Sequence, residues 1–358
     1  MGPWLSLITK IFMHRIVTLI PGDGIGPEIT ASVKRIFSAL DAPVKWDEQK
    51  AGLPALQDHG ELLPKSLFES LANNKIALKG PITTPVGEGF KSVNIQLRQH
   101  FDLYANIRPC KSVDAIPTRF QNVDLIIIRE NTEGLYSGLE YVDERLGIVD
   151  SICRITLKGC DRIVRAAFEY ARSNKRRKVT LVHKANILKQ AGAALLNAGK
   201  AISKDYPEIV MEDLIIDNMC MQLVTKPERY DVILTTNLFG DILSDLAAGL
   251  VGGLGVAAGA NIGTDIAIFE AVHGSAPDIA GRGIANPTAL LKSATMMLHY
   301  MGETVIARRL ENAIDLTLRN KDQCTADLGG KAGTEEFTSN VIRNLERDAI
   351  GVESIINH

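Results

Sequence analysis

Along the chain, short apolar runs alternate with longer stretches in which apolar residues return every three or four positions. The short runs, bounded by polar or turn residues, are the pattern of strands buried on both faces, and the longer period is that of amphipathic helices. They predict strands at Arg15–Ile20, Ile76–Lys79, 125–129, 179–183, 214–216 and Val232–Thr235. Helices are predicted at 27–40, 161–172, 187–203, 241–247, 287–301, Thr304–Arg319 and 334–348. Pro27 suits the first turn of its helix, where a missing N–H costs nothing. Regular alternation of β and α implies an α/β architecture. The stretch 139–160, LEYVDERLGIVDSICRITLKGC, breaks the rhythm. It is rich in β-branched residues, has Gly147 at a turn, and reads as two or three strands forming either an arm or a plain surface hairpin.

Composition narrows the class. With 358 residues, 46% of them hydrophobic and 23% charged, the chain has the make-up of a globular protein of about two domains. Forty Lys+Arg against 42 Asp+Glu leave a net charge of −2 and no basic field for nucleic acid. The run 175–178, KRRK, precedes an apolar strand and reads as a solvated turn. Five cysteines at irregular spacing, with no C-x-x-C, argue against a disulfide framework or a structural zinc site and fit a reducing compartment. The uncharged stretch 246–264 approaches membrane-spanning length, but six glycines make it a buried turn instead. The opening MGPWLSLITKIF has no basic leader or clear cleavage site, and its Gly2/Ser6 match to a myristoylation pattern is weak; it reads as a short extension before Met13.

Chemistry-bearing residues gather after predicted strands. The segment PGDGIGPE, 21–28, suggests a dinucleotide fingerprint, but Pro27 stands where the third glycine is needed, so a standard Rossmann reading is disfavoured. In TTPVGEG and SVNIQLR, Ser92 can cap a helix on which Asn94 and Arg98 share a face. Hydroxyl, amide and guanidinium on one edge could grip a polycarboxylate, or simply belong to a capped surface helix. Arg129 ends an apolar run, where ligands of open α/β sheets collect; its alternative is an ion pair with Glu130 or Glu133. Arg108 is a third candidate cation. Asp241 and Asp245 lie four apart in NLFGDILSD, a spacing that costs a few tenths of a kcal/mol in a helix but suits a bridging hard cation, Mg²⁺ or Mn²⁺; its alternative is a solvated helix face. Asp217 and Lys184 follow strand ends, and Tyr136 sits in a glycine-flanked turn, so proton transfer is within their chemistry. The loop HGSAPDIAG, 273–281, could lie against a flat ring or be an interdomain turn.

Together, IPGDGIGPE, GPITTPVGEG, NLFGDILSD and HGSAPDIAG resemble the β-decarboxylating dehydrogenases: those of isocitrate, isopropylmalate, homoisocitrate and tartrate. The resemblance runs from about Arg15 to the C-terminal helix. It implies the isopropylmalate dehydrogenase-like fold: a large cofactor-binding domain, 1–106 and 256–358, around a smaller domain, 107–255, with 139–160 as an interlocking arm. Ser92 and Asn94 match isocitrate enzymes, whereas isopropylmalate enzymes place apolar residues there. The resemblance assigns Arg98, Arg108 and Arg129 to substrate carboxylates, with Ser92 and Asn94 on the γ-carboxylate. It assigns Asp217, Asp241 and Asp245 to the metal, Lys184 and Tyr136 to proton transfer. Thr84, His273, Gly274, Ala276, Asp278, Ile279 and Asn286 would bind the cofactor. Asp278 and Ile279 stand where NADP-linked relatives carry Lys and Tyr, which implies NAD. It further implies a homodimer with Lys184 and Asp217 supplied by the partner chain, in the cytoplasm or, in a eukaryote, the mitochondrial matrix. The alternatives are a sister dehydrogenase or a non-catalytic regulatory subunit.

Overall fold

The computed structural model describes residues 14–83, 92–113, 116 and 118–356, with side chains as far as 347. Its strands are β1 (Arg15–Ile20), β2 (Val44–Glu48), β3 (Ile76–Lys79), β4 (Ala105–Lys111), β5 (Asp124–Glu130), β6 (Glu140–Asp143), β7 (Ile148–Ser151), β8 (Lys178–His183), β9 (Val210–Ile215), β10 (Val232–Thr235), β11 (Ala258–Ile262) and β12 (Ala267–Ala271). Its helices are α1 (Gly26–Ala39), α2 (Leu53–His59), α3 (Lys65–Asn74), α4 (Val93–His100), α5 (Leu157–Ser173), α6 (Lys189–Ile202), α7 (Ile216–Leu223), α8 (Asn237–Leu250), α9 (Thr288–Tyr300), α10 (Thr304–Arg319) and α11 (Thr334–Ile356).

Ten strands form one mixed sheet in the order β2-β1-β3-β12-β11-β4-β5-β10-β8-β9. Two parallel blocks, β2-β1-β3-β12 and β5-β10-β8-β9, are joined by β11 and β4, each antiparallel to its neighbours. The apolar interior follows that division. One pair of clusters joins Val17, Leu19, Leu78 and Phe269 to α1 and α9–α11, and Ile20, Leu67 and Leu71 to Leu97. The other pair packs Ile126, Ile128 and Val232 against α5 and α6, and Leu125, Ile127 and Ile233 against α7 and α8. Strands such as β3 and β10 are buried at every position, as their continuous apolar runs require.

The six predicted strands are present, β1, β3 and β10 with the predicted ends and β5, β8 and β9 with shifted ones. The run at 214–216 is corrected: β9 occupies Val210–Ile215, and Asp217 lies in the first turn of α7. Four strands escaped the reading. Edge strand β2 is only partly buried, so its sequence carries charges, and β4 has Asn106, Arg108 and Pro109 inside it. β11 and β12 are built from small residues with Asn261 and Glu270 inside them. In the stretch 246–264, expected as a turn throughout, α8 continues to Leu250 and β11 begins at Ala258. The stretch 139–160 contains one antiparallel hairpin, β6-β7, turning at Gly147 (φ +64°), and α5 starts earlier than expected, capped by Thr156. Among the described residues no helix is long and apolar enough to cross a membrane.

Candidate active site

Register determines which polar side chains meet. Lys79 pairs with Glu270, Glu270 with Gly259, Asn261 with Asn106, and Asn106 with Arg129. Residues directly opposite, or two apart on a strand, share a face. Lys79, Glu270, Asn261, Asn106, Arg108 and Arg129 therefore occupy one face of the sheet, across the junction of its two blocks. Above them α4 brings Ser92, Asn94 and Arg98, and α8 brings Asp241. The result is a cavity of about 260 Å³ lined by Lys79, Arg98, Arg108, Arg129, Tyr136 and Asp241, with Ser92, Asn94, Glu270, His273 and Gly274 at its walls.

Among the described residues four cations face two carboxylates there, so these residues favour an anion. Arg129 is fully buried and held by Asn237 Oδ1, 3.0 Å from Nε, and by Asp241. The alternative of an ion pair with Glu130 or Glu133 is corrected. Glu130 instead accepts from the backbone N–H of Thr132 and Glu133, and Glu133 accepts from Thr156 N–H. Burial, then the neighbouring Arg98, lowers the Arg129 guanidinium to about 10, still charged at neutral pH. Arg108 donates to Ser244 (2.8 Å) and Asp245 (3.4 Å), and burial also lowers its pKa. Burial pushes the Asp241 carboxyl up, but Arg129, the Tyr136 hydroxyl and Arg108 hold it below its ordinary value. Tyr136 donates to Asp241 at 2.5 Å, and burial, then that carboxylate, raises its phenol, so it stays a proton donor.

Among the described residues, three buried polar atoms without partners belong to residues lining this cavity: Asn94 Oδ1, Arg98 Nε and His273 Nε2. A buried unpaired polar atom costs roughly 1–3 kcal/mol, so their convergence fits a polar, charged occupant. Ser92 stands at the N-cap of α4, but among the described residues its hydroxyl makes no capping bond, while its carbonyl accepts from Gln96 N–H. The expected cap is thereby corrected, and Ser92 remains a wall residue of the cavity.

The other candidates divide. Asp245, on the exposed side of α8, meets Arg108 one turn from Asp241. Lys184 and Asp217 pair with each other at 2.5 Å, and Lys184 lines a separate apolar cleft with Leu135, Cys153 and Phe239. Among the described residues no three carboxylate, imidazole or thiol groups converge as a metal site, so one chain does not assemble Asp217, Asp241 and Asp245. Thr84 lies outside the described residues. Ala276 has φ +40°, Asp278 is exposed, and Ile279 packs partly against the large apolar cluster. Both polar atoms of Asn286 are engaged, Oδ1 by Thr288 N–H (2.9 Å) and Nδ2 by Asp327 (2.8 Å).

The glycine turn before α1 serves loop packing. A Cβ on Gly22 would meet Pro81 O, and one on Gly24 would meet Ser275 O, each at 2.0 Å. Asp23 accepts from Leu53 N–H (3.0 Å) and Thr83 N–H (2.7 Å), and Glu28 from Ala285 N–H (3.1 Å), so both acidic groups of the turn serve its packing. Lys79 and Glu270 were missed, although Lys79 ends an apolar run just as Arg129 does, and that signal could have found it.

The sequence profile of the isocitrate/isopropylmalate dehydrogenases matches residues 16–341, and the chain belongs to that family. It is 49% identical over 330 residues to a regulatory subunit of the mitochondrial NAD isocitrate dehydrogenase of Dictyostelium discoideum, covering 92% of this chain and 91% of that one. To the alpha chain of the human mitochondrial NAD isocitrate dehydrogenase it is 47% identical over 333 residues, covering 92% and 90%. The crystal structure of isocitrate dehydrogenase from Methylococcus capsulatus superposes with a TM-score of 0.89 at 50% identity, covering 92% of this chain and 99% of that one.

Proposed function

We propose that the chain oxidises isocitrate to 2-oxoglutarate and CO₂, with NAD as hydride acceptor and Mg²⁺ or Mn²⁺ as a resident cation. One observation carries the reading. The wall of the arginine pocket is polar at Ser92 and Asn94, whose hydroxyl and amide N–H can donate to a carboxylate. A site of that kind selects a third carboxylate and rejects an isopropyl group. Family membership and relatives named as NAD isocitrate dehydrogenase subunits support it.

In this reading Arg98, Arg108 and Arg129 clamp the carboxylates, and Lys184 of a second chain takes the C2 hydroxyl proton as hydride leaves. Tyr136, kept protonated, donates to the carbon that has lost CO₂. The ionised Asp241 with Asp245, and Asp217 of a second chain, would hold the cation. When bound, the cation acts as a Lewis acid on the C2 oxygen. His273, Gly274, Ala276, Asp278 and Ile279 would contact the cofactor; Asn286 contributes by shaping the start of α9. The second chain is a copy of this one or a related chain, as the relatives' names, which call each of them one subunit of an enzyme, suggest. The two interior halves support a division into a large domain, 1–106 with 256–358, and a small domain, 107–255. Of the two expected compartments, the relatives' mitochondrial names favour the matrix over the cytoplasm.

The name of the Dictyostelium relative favours a second reading, a regulatory subunit without its own turnover. Tyr136, Lys184 and the three aspartates speak against it, because proton transfer and cation binding rather than regulation call for them. Steady-state assays of the purified chain decide. Turnover of isocitrate with NAD that stops in excess EDTA is expected; preference for isopropylmalate or homoisocitrate, or activity only when a different chain is added, would replace the reading.

A further inference from the structure

Two arginines of the pocket are connected beneath its floor. Arg98 Nη2 lies 3.4 Å from Glu270 Oε1, and the same oxygen accepts from Asn261 Nδ2 at 2.7 Å. Asn261 Oδ1 accepts from Asn106 Nδ2 at 2.9 Å, and Asn106 Oδ1 accepts from Arg108 Nε at 2.9 Å. Asn131 Nδ2 also donates to Asn261 Oδ1, at 2.9 Å, and ties the chain to Leu103 O. Asn106, Asn131 and Asn261 are at most 3% exposed, and neither Asn261 nor Asn106 lines the cavity. They do not touch an occupant, and Asn106 and Asn261 sit on β4 and β11, the antiparallel strands that join the two halves of the sheet.

We propose that Asn261 is a positioning residue that fixes Arg98, through Glu270, and Arg108, through Asn106, at the separation the substrate's carboxylates require. The inference rests on reading those arginines as carboxylate clamps. An amide suits the place because it must donate towards Glu270 and accept from two amides at once, which neither a carboxylate nor an aliphatic side chain can do. Buried chains of this kind are stiff when every link is made, and one missing link loosens both ends, leaving Arg108 to Ser244 and Asp245 and Glu270 to Lys79.

The experiment compares the wild type with Asn261→Ala, Asn106→Ala and the double variant, by KM for the hydroxy acid and for NAD, with thermal unfolding alongside. Expected is a rise of tenfold or more in the hydroxy-acid KM for Asn261→Ala, with the NAD KM within twofold. The double variant should be no worse than the more damaged single, because both break the same chain. An unchanged hydroxy-acid KM, an equal rise in both KM values, or multiplying effects would overturn the proposal. If Asn261→Ala does not fold, Asn106→Asp keeps an acceptor for Arg108 while removing the donor to Asn261. It should then give the same KM split, and wild-type values would overturn the link. The wild-type arm reports separately on the substrate: it is run with isocitrate and isopropylmalate, and the variants with whichever is turned over. If neither is, calorimetric affinity for malate replaces KM with the same expectation.

Discussion

Asp278 stands exposed on the loop that follows His273, in a segment that the family resemblance assigns to the cofactor. A carboxylate there can accept from the ribose 2′-hydroxyl of NAD and would repel a 2′-phosphate. A hundredfold preference for NAD over NADP needs about 2.8 kcal/mol, within reach of one repelled charge pair in a partly desolvated loop. Asp278→Lys with Ile279→Tyr should therefore shift the ratio of kcat/KM values towards NADP. Equal use of both cofactors by the unmodified protein would remove the loop from this role. In the arginine pocket, Asn94 offers an amide N–H that can donate to a substrate carboxylate. Asn94→Leu should cut kcat/KM for isocitrate by two orders of magnitude or more and narrow the gap to isopropylmalate, measured with both acids at fixed NAD. A variant that kept its isocitrate preference would show that Asn94 does not select.

Between elements, the most consequential charge is Glu270 on β12. Its carboxylate meets Lys79 Nζ on β3 at 2.8 Å and Arg98 on α4 at 3.4 Å, all almost fully buried. Burial pushes this carboxyl up, but Lys79, Arg98 and the Asn261 amide pull it further down, to a value well below the ordinary 4.5. The stability it contributes is thus present above the unfolded value near 4.5 and is lost as pH falls towards the folded one. Glu270→Gln leaves Lys79 buried and unpaired, and should lower unfolding stability by about 3 kcal/mol at pH 7. Its stability should also fall less steeply than the wild type's between pH 4.5 and 3, and denaturant titrations across pH read both effects. Equal slopes would place the acid sensitivity elsewhere. Glu270 also marks the limit of what the chain discloses by itself. Fully buried strands are legible because every position is apolar, and one-turn spacing put Asn94 with Arg98 and Asp241 with Asp245. β11 and β12 are not legible: their polar residues satisfy one another across strands, and such pairing has no trace in a linear sequence. Likewise Arg129 was readable as a strand-end charge, but its partners Asn237 and Asp241, more than a hundred residues away, were not.

At the scale of the whole molecule, the proposed machinery is split. Tyr136, the arginines and Asp241 share one cavity, whereas Lys184 and Asp217 hold each other outside it. Lys184 faces an apolar cleft that includes Leu135, in the same short turn as Tyr136. Around it the β6-β7 hairpin exposes Tyr141, Val142, Ile148 and Val149, an apolar surface that a lone chain would leave in water. A second chain docked on this side would cover that surface and could deliver its own Lys184 and Asp217 to the cavity. Each site would then be a composite: Tyr136 from one chain, Lys184 from the other. Lys184→Met and Tyr136→Phe homo-oligomers should each be inactive, since each lacks one proton-transfer group in every site. In a mixed dimer, one site combines both substitutions and the other combines neither. Co-refolding the two variants in equal amounts gives one half mixed dimers at random assortment, each with one intact site of two. About a quarter of wild-type activity should return, on the order set by that statistics alone. Tagging the two variants differently and purifying the doubly tagged species should raise the figure to about half, again by counting intact sites. Verified mixed dimers without recovery would show that Lys184 and Tyr136 act, if at all, within a single chain.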